Sequence, residues 1–98
     1  MTAPVSDRVH GVIAEVFVVP RETVLDDTAL VGELGAESID FLDLVFRLEE
    51  TFGVRIPIAR WDAYVRAHME GPGDFDRITP AFVRGFVAEI LAGAEVDA

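Results

Sequence analysis

Apolar residues recur at helical spacing in four stretches of the chain and nowhere alternate long enough to make a strand. Val9, Val12, Ile13, Val16 and Phe17 lie three and four residues apart, which is one face of an amphipathic helix. Ser6 is placed to cap its start, Asp7 suits the positive end of the helix dipole, and Pro20 closes the element. Gly11 inside it costs roughly 1 kcal/mol relative to alanine and so points to close packing there. The second pattern runs from Ser38 to Phe52 and stops at Gly53. Its core stripe is Leu42, Val45, Leu48 and Phe52, with Glu49 on the same side. Ile39 and Phe46 add apolar surface at the edge, and Asp40, Asp43, Arg47 and Glu50 take the wetter face.

Val54-Arg55-Ile56-Pro57 alternates only briefly and has no strand to pair with, so it is an extended connector. Pro57 then opens a short helix through His68, with Trp61, Tyr64, Val65 and Met69 facing inward as core. Gly71-Pro72-Gly73 breaks the chain. Thr79 caps a last helix whose first residue is Pro80 and whose apolar face is Phe82, Val83, Phe86, Val87, Ile90 and Leu91. Residues 20–37 form a long connection carrying Val24, Leu25, Leu30, Val31 and Leu34. It is expected to pack across the helices with a helical turn near Thr28–Val31, and Gly32 and Gly35 let it turn sharply before Ser38. The expected fold is all-α: a small antiparallel bundle of three main helices plus a short extra one, with a long loop between the first and second. Residues 1–98 make one domain, with 1–5 and 93–98 frayed.

Composition narrows the function. At 98 residues and 51% hydrophobic, the chain supports a single modest core. With no cysteine it has no disulfide, thiolate nucleophile or sulfur-ligated metal. His10 and His68 lie in different segments without metal-ligand spacing and are expected at the surface. A net charge of −10 argues against nucleic-acid binding and fits basic protein partners. No apolar run reaches membrane-spanning length and the start lacks the order of a signal peptide, so membrane insertion is not expected and the cytoplasm is the expected compartment.

The chemistry converges on Ser38, which a glycine turn delivers to a helix start amid acids. Taken alone it is a helix N-cap. As a nucleophile it lacks a neighbouring base, and Gly35-Ala36-Glu37-Ser38-Ile39 is not the glycine-bracketed nucleophile elbow. Asp40 and Asp43 lack calcium-loop spacing, so no metal site is expected. A hydroxyl held clear of the core on a helix, with charge around it, suits modification by another enzyme.

Leu34-Gly35-Ala36-Glu37-Ser38-Ile39-Asp40, followed by Leu42, Leu44-Val45 and Leu48-Glu49-Glu50-Thr51-Phe52-Gly53, resembles an acyl carrier protein. The similarity extends over the helical layout to the last helix at Thr79. It implies a carrier, not an enzyme, in which Ser38 bears a covalent 4′-phosphopantetheine arm whose thiol holds acyl chains as thioesters for fatty-acid or specialised lipid biosynthesis. It also implies a partner-recognition surface of Glu37, Ile39, Asp40, Asp43, Phe46, Glu49 and Glu50, with the acyl chain sheltered in the apolar interior. Its partners would be a phosphopantetheinyl transferase and acyl-loading, condensing and acyltransferase enzymes, visited as a monomer. Glu37 stands where the family usually has aspartate and Ile39 where leucine is usual, which bears on recognition by the transferase. The segment from Trp61 to Arg77 is longer than in ordinary fatty-acid carriers. With Phe41–Phe46 and Phe52–Pro57 it is similar to the subgroup serving very-long-chain or hydroxylated acyl groups of rhizobial lipid A. A stand-alone polyketide, aminoacyl or peptidyl carrier is the alternative within the class, and an unmodified acidic helical adaptor the alternative outside it.

Overall fold

In the computed structural model, which describes residues 4–69 and 72–97, every regular element among the described residues is helical. Helix α1 spans Val5–Phe17, α2 Ser38–Phe52, α3 Ile58–His68 and α4 Pro80–Asp97. Short 3-10 helices at Arg21–Thr23 and Pro72–Arg77, neither expected from periodicity, interrupt the connections. The expected all-helical bundle is present, and Val54–Pro57 is an extended connector as expected.

Helix α1 packs against both α2 and α4. Val9, Val12 and Ile13 of α1, Leu44, Val45 and Leu48 of α2, and Val83, Phe86, Val87 and Ile90 of α4 close the core. Each large side chain so buried contributes about 1.5–3 kcal/mol. Val24 and Leu30 of the long connection, with Ile56 and Ile78, fill the remaining space, which is why a structureless-looking stretch stays on the bundle.

Two ends depart from expectation. Pro4, not Ser6, precedes the first helical residue of α1, and Val5 packs on the core instead of fraying; Met1–Ala3 lie outside the described residues. Helix α4 runs on to Asp97 where a loose tail from about residue 93 was expected. Ala92, Ala94 and Glu95 are strong helix formers, and a lone Gly93 without proline is too weak a stop.

The core stripe of α2 also differs. Leu44, not Leu42, is fully buried, and Leu42 is 48% exposed. The helix carries two overlapping apolar rows, Phe41, Leu44, Val45, Leu48 and Phe52 facing in, and Ile39, Leu42 and Phe46 facing out. Both satisfy helical spacing, so period alone does not choose between them. Glu49 is not idle on the inner row: its carboxylate accepts the Ile56 N–H at 2.6 Å and pins the α2–α3 connector. Pro57 precedes α3 instead of beginning it.

The long connection is tied down by backbone and carboxylate bonds. Leu30 N–H donates to the Ile78 carbonyl (3.0 Å) and Ala81 N–H to the Asp26 carbonyl (3.1 Å). The Asp26 carboxylate receives His10 Nε2 at 2.8 Å and Arg84 at 3.2 Å, linking the loop to α1 and α4. The His10 hydrogen bond is the largest influence on the Asp26 carboxyl; burial opposes it, and the Arg84 charge adds to it, so the group is held below its ordinary value. The helical turn runs from Ala29 to Gly35, slightly later than Thr28–Val31. Gly35 has φ +70°, whereas Gly32 has no positive φ, and the one atom close to where its Cβ would lie, Asp76 Oδ1 at 2.8 Å, is the end of an exposed side chain that can move aside. Gly11 does not mark close packing, because nothing lies within 4 Å of where its Cβ would be.

Val18, which ends α1, sits in the left-handed region at φ 54° with its side chain 88% exposed. A β-branched residue there is strained with nothing gained from burial. Val18→Gly should therefore stabilise the fold by about 1 kcal/mol in urea unfolding. Asp26→Asn should lower the thermal midpoint at neutral pH. Because the folded-state carboxyl titrates lower than the unfolded one, its contribution is complete above the ordinary carboxylate value and is lost as pH falls through the folded value. The gap between wild type and Asp26→Asn should accordingly close in strong acid.

Candidate functional site

The route to Ser38 is set one turn earlier. Ala36 is buried and its N–H donates to the Leu30 carbonyl at 2.9 Å, while Gly35 N–H reaches the Val31 carbonyl at 3.2 Å. From this anchored turn the chain extends through Glu37, at φ −116° and ψ 172°, which occupies the N-cap position of α2. Asp40 takes the Glu37 N–H on its carboxylate at 2.8 Å, one half of a capping box, and the Glu37 carbonyl takes the Asp40 N–H at 2.9 Å. Ser38 is thereby the first helical residue and not the cap. It is exposed, and among the described residues its hydroxyl makes no hydrogen bond.

Ser38 stands at the edge of a cleft of about 790 Å³. Phe41 and Leu42 of α2 form one wall and Ile58, Trp61, Asp62, Val65 and Arg66 of α3, with Met69 just after it, the other; Phe75 and Ile78 complete the lining. The cleft is of the size and apolar character of a small-molecule site. Trp61, 4% exposed, is its floor and the hub that holds α3 in place. It stacks on Phe41 (ring centroids 5.7 Å) and meets Phe82 and Phe86 edge-on at 6.0 and 5.2 Å. Tyr64 adds contacts to both phenylalanines, and Gly85 lets α4 approach it: a Cβ there would lie 2.9 Å from the phenol oxygen. Burial first, and the Glu89 charge second, raise the Tyr64 hydroxyl above its ordinary value.

The remaining surface candidates divide. Ile39 and Phe46, 65% and 59% exposed, lie on the outer face of α2, with Glu37 and Glu50 exposed on the same helix. Asp43 is paired with Arg47 at 3.1 Å, and Arg47 also reaches Glu15 of α1 at 3.3 Å. Asp40 and Glu49 are engaged as described above. So the predicted residues share one helix, but three of the acids already hold the fold together. Neither histidine lines the cleft: His10 is bonded to Asp26 and His68 to the Tyr64 carbonyl.

The family described as "Phosphopantetheine attachment site" matches residues 7–63, which span α1, the long connection, α2 and the start of α3. The chain belongs to this family. Members carry 4′-phosphopantetheine as a covalent group. Among curated relatives, the acyl carrier protein AcpXL of Rhizobium meliloti (strain 1021) is 40% identical over 55 residues, 56% of this chain and 58% of that protein. AcpXL of Brucella melitensis biotype 1 is 38% identical over 55 residues, 56% of this chain and 59% of the relative. AcpXL of Mesorhizobium japonicum is 29% identical over 69 residues, 70% and 74% of the two chains. The chain thus aligns with under two thirds of the first of these relatives.

Leu42, Asp62, Arg66 and Phe75 were not singled out from the sequence as part of a site. The one available signal was the outward apolar row of α2; the cleft's second wall needs tertiary packing to appear. Removing the cap should test how the site is held: Asp40→Ala should cost about 1 kcal/mol in chemical unfolding, with the loss centred on the first turn of α2 in amide hydrogen exchange.

Proposed function

We propose that Ser38 Oγ is the point of attachment of the 4′-phosphopantetheine arm and that the chain acts as one acyl-carrier domain in specialised lipid biosynthesis. The observation that carries this is the register of α2: Glu37 takes the N-cap position, leaving the Ser38 hydroxyl exposed and without a hydrogen bond among the described residues. A hydroxyl in that state is open to a transferase, whereas a capping hydroxyl would be occupied by backbone N–H groups. The fit to the arm is supported by the apolar cleft that begins at the serine. When bound, the arm supplies a terminal thiol on which an acyl group is held as a thioester. The protein's own residues anchor it, shelter it between α2 and α3, and present it to partners.

The relatives' shared name, acyl carrier protein AcpXL, supports an acyl rather than an aminoacyl or peptidyl cargo. Ile39 and Phe46, with the exposed acids Glu37 and Glu50 nearby, would form the docking face for the transferase and for acyl-loading, condensing and acyltransferase enzymes. Opposite charge speeds encounter and the apolar pair supplies the affinity. Tethering then raises the effective concentration of the intermediate at each partner. In the cytoplasm, with a formal charge of −10, such a carrier would act as a monomer.

The test is the intact mass before and after incubation with a broad-specificity phosphopantetheinyl transferase and coenzyme A. Wild type should gain one phosphopantetheinyl group and Ser38→Ala none, with the variant's helical circular dichroism and thermal midpoint close to wild type. A gain in Ser38→Ala, or no gain in wild type with several transferases, would overturn the assignment.

A further inference from the structure

The wall that α3 gives to the cleft beside Ser38 is not uniformly apolar. Asp62 and Arg66 lie on it one turn apart, among Ile58, Trp61, Val65 and Met69. An acid four residues ahead of an arginine on a helix is the arrangement that favours an ion pair. Yet among the described residues neither Asp62 nor Arg66 makes a hydrogen bond or an ion pair. This sets Arg66 apart. All eight basic residues are arginines, and Arg8, Arg21, Arg47, Arg77 and Arg84 are engaged with carboxylates or, for Arg8, with the Thr51 carbonyl. Of the other three, Arg66 is the one on this wall.

The pair selects the chemistry of its occupant. A bare hydrocarbon could lie beneath their exposed charged heads but would offer neither a partner. An anion would meet the Asp62 carboxylate, and a cation the Arg66 guanidinium. A neutral group that both donates and accepts satisfies the two at once, because the carboxylate only accepts and the guanidinium only donates.

We propose that Asp62 and Arg66 are positioning residues for the phosphopantetheine arm, with Asp62 accepting from an arm amide N–H and Arg66 donating to an arm amide carbonyl. The proposal rests on Ser38 being the attachment point. The arm has two amides separated by a two-carbon spacer, a distance near one helical turn, and four residues of helix rise about 6 Å. Its methyl and methylene groups would lie on Ile58, Trp61 and Val65. Held so, the arm lies along α3 in the carrier alone and must leave these two residues to enter a partner.

The experiment loads unlabelled protein from coenzyme A bearing ¹⁵N in both arm amides and follows the two amide signals, with intact mass confirming one arm per chain. In wild type both signals should shift from those of free pantetheine and exchange with solvent several-fold more slowly. In Arg66→Ala with Asp62→Ala both should return to the free values, and each single variant should release one amide more than the other. Both side chains are exposed, and circular dichroism confirms that the variants fold. Signals like free pantetheine in fully loaded wild type would overturn this proposal and leave Ser38 standing as the attachment point. Slowed exchange that appears only after an acyl group is added would overturn it in favour of a polar group on the cargo. A chain that never takes up the arm would overturn the Ser38 assignment first and this one with it.

Discussion

The backbone N–H groups at a helix start lack partners inside the helix, and some nearby acceptor must take them. In this chain the turn before α2 is arranged so that the acceptor is not Ser38. The Asp40 carboxylate reaches back to the Glu37 N–H, and the Glu37 carbonyl closes the first turn. Shift the helix start by a single residue and Ser38 becomes the cap, its oxygen directed at the backbone. The register is held from behind by Ala36, buried and bonded to Leu30, which is in turn bonded to Ile78 just ahead of α4. The exposure of one surface hydroxyl thus depends on a buried turn and on the segment leading into the last helix.

The cleft depends on a different part of the core. Trp61 is packed on three sides by Phe41, Phe82 and Phe86, so α3 is fixed through rings to α2 and α4 together. Ring pairs in these geometries contribute about 0.5–1.5 kcal/mol beyond the area they bury. Because the tryptophan faces inward, Asp62, one position on, and Arg66, a further turn along, line the cleft. The same helix is therefore core on one side and cleft wall on the other without any change of element.

Much of this was legible from residue order. The four helices, the caps at Thr79 and Gly53, the inward face of α4 and the burial of Trp61 follow from period and capping chemistry, and the Thr79 Oγ1 bond to Phe82 N–H at 3.2 Å bears out the first of those caps. What was not legible had specific causes. Two apolar rows on α2 made Leu42 and Leu44 interchangeable to a periodicity argument. Alanine-rich sequence after Leu91 looked like a tail because it lacks apolar anchors, yet alanine sustains a helix without them. The serine's cap reading and its exposed reading differ by one residue, which is within the ordinary uncertainty of a helix boundary. Only the Glu37–Asp40 bond separates them.

The acids of α2 are not one surface with one purpose. Asp40 closes the helix start, Asp43 holds Arg47 against α1, and Glu49 fastens the connector to α3. Each already has a partner, so its charge is partly neutralised or directed inward and is less able to attract an approaching enzyme. Glu37 and Glu50 remain as exposed acids around Ile39 and Phe46. The proposed docking face would have a small apolar centre and a thin charged rim, which favours fast arrival through charge and ready departure through limited area. If the proposed docking face is correct, charge changes at Asp40, Asp43 or Glu49 perturb stability and docking together. On the same proposal, changes at Ile39 and Phe46, exposed and outside the core, act on docking with the fold left in place.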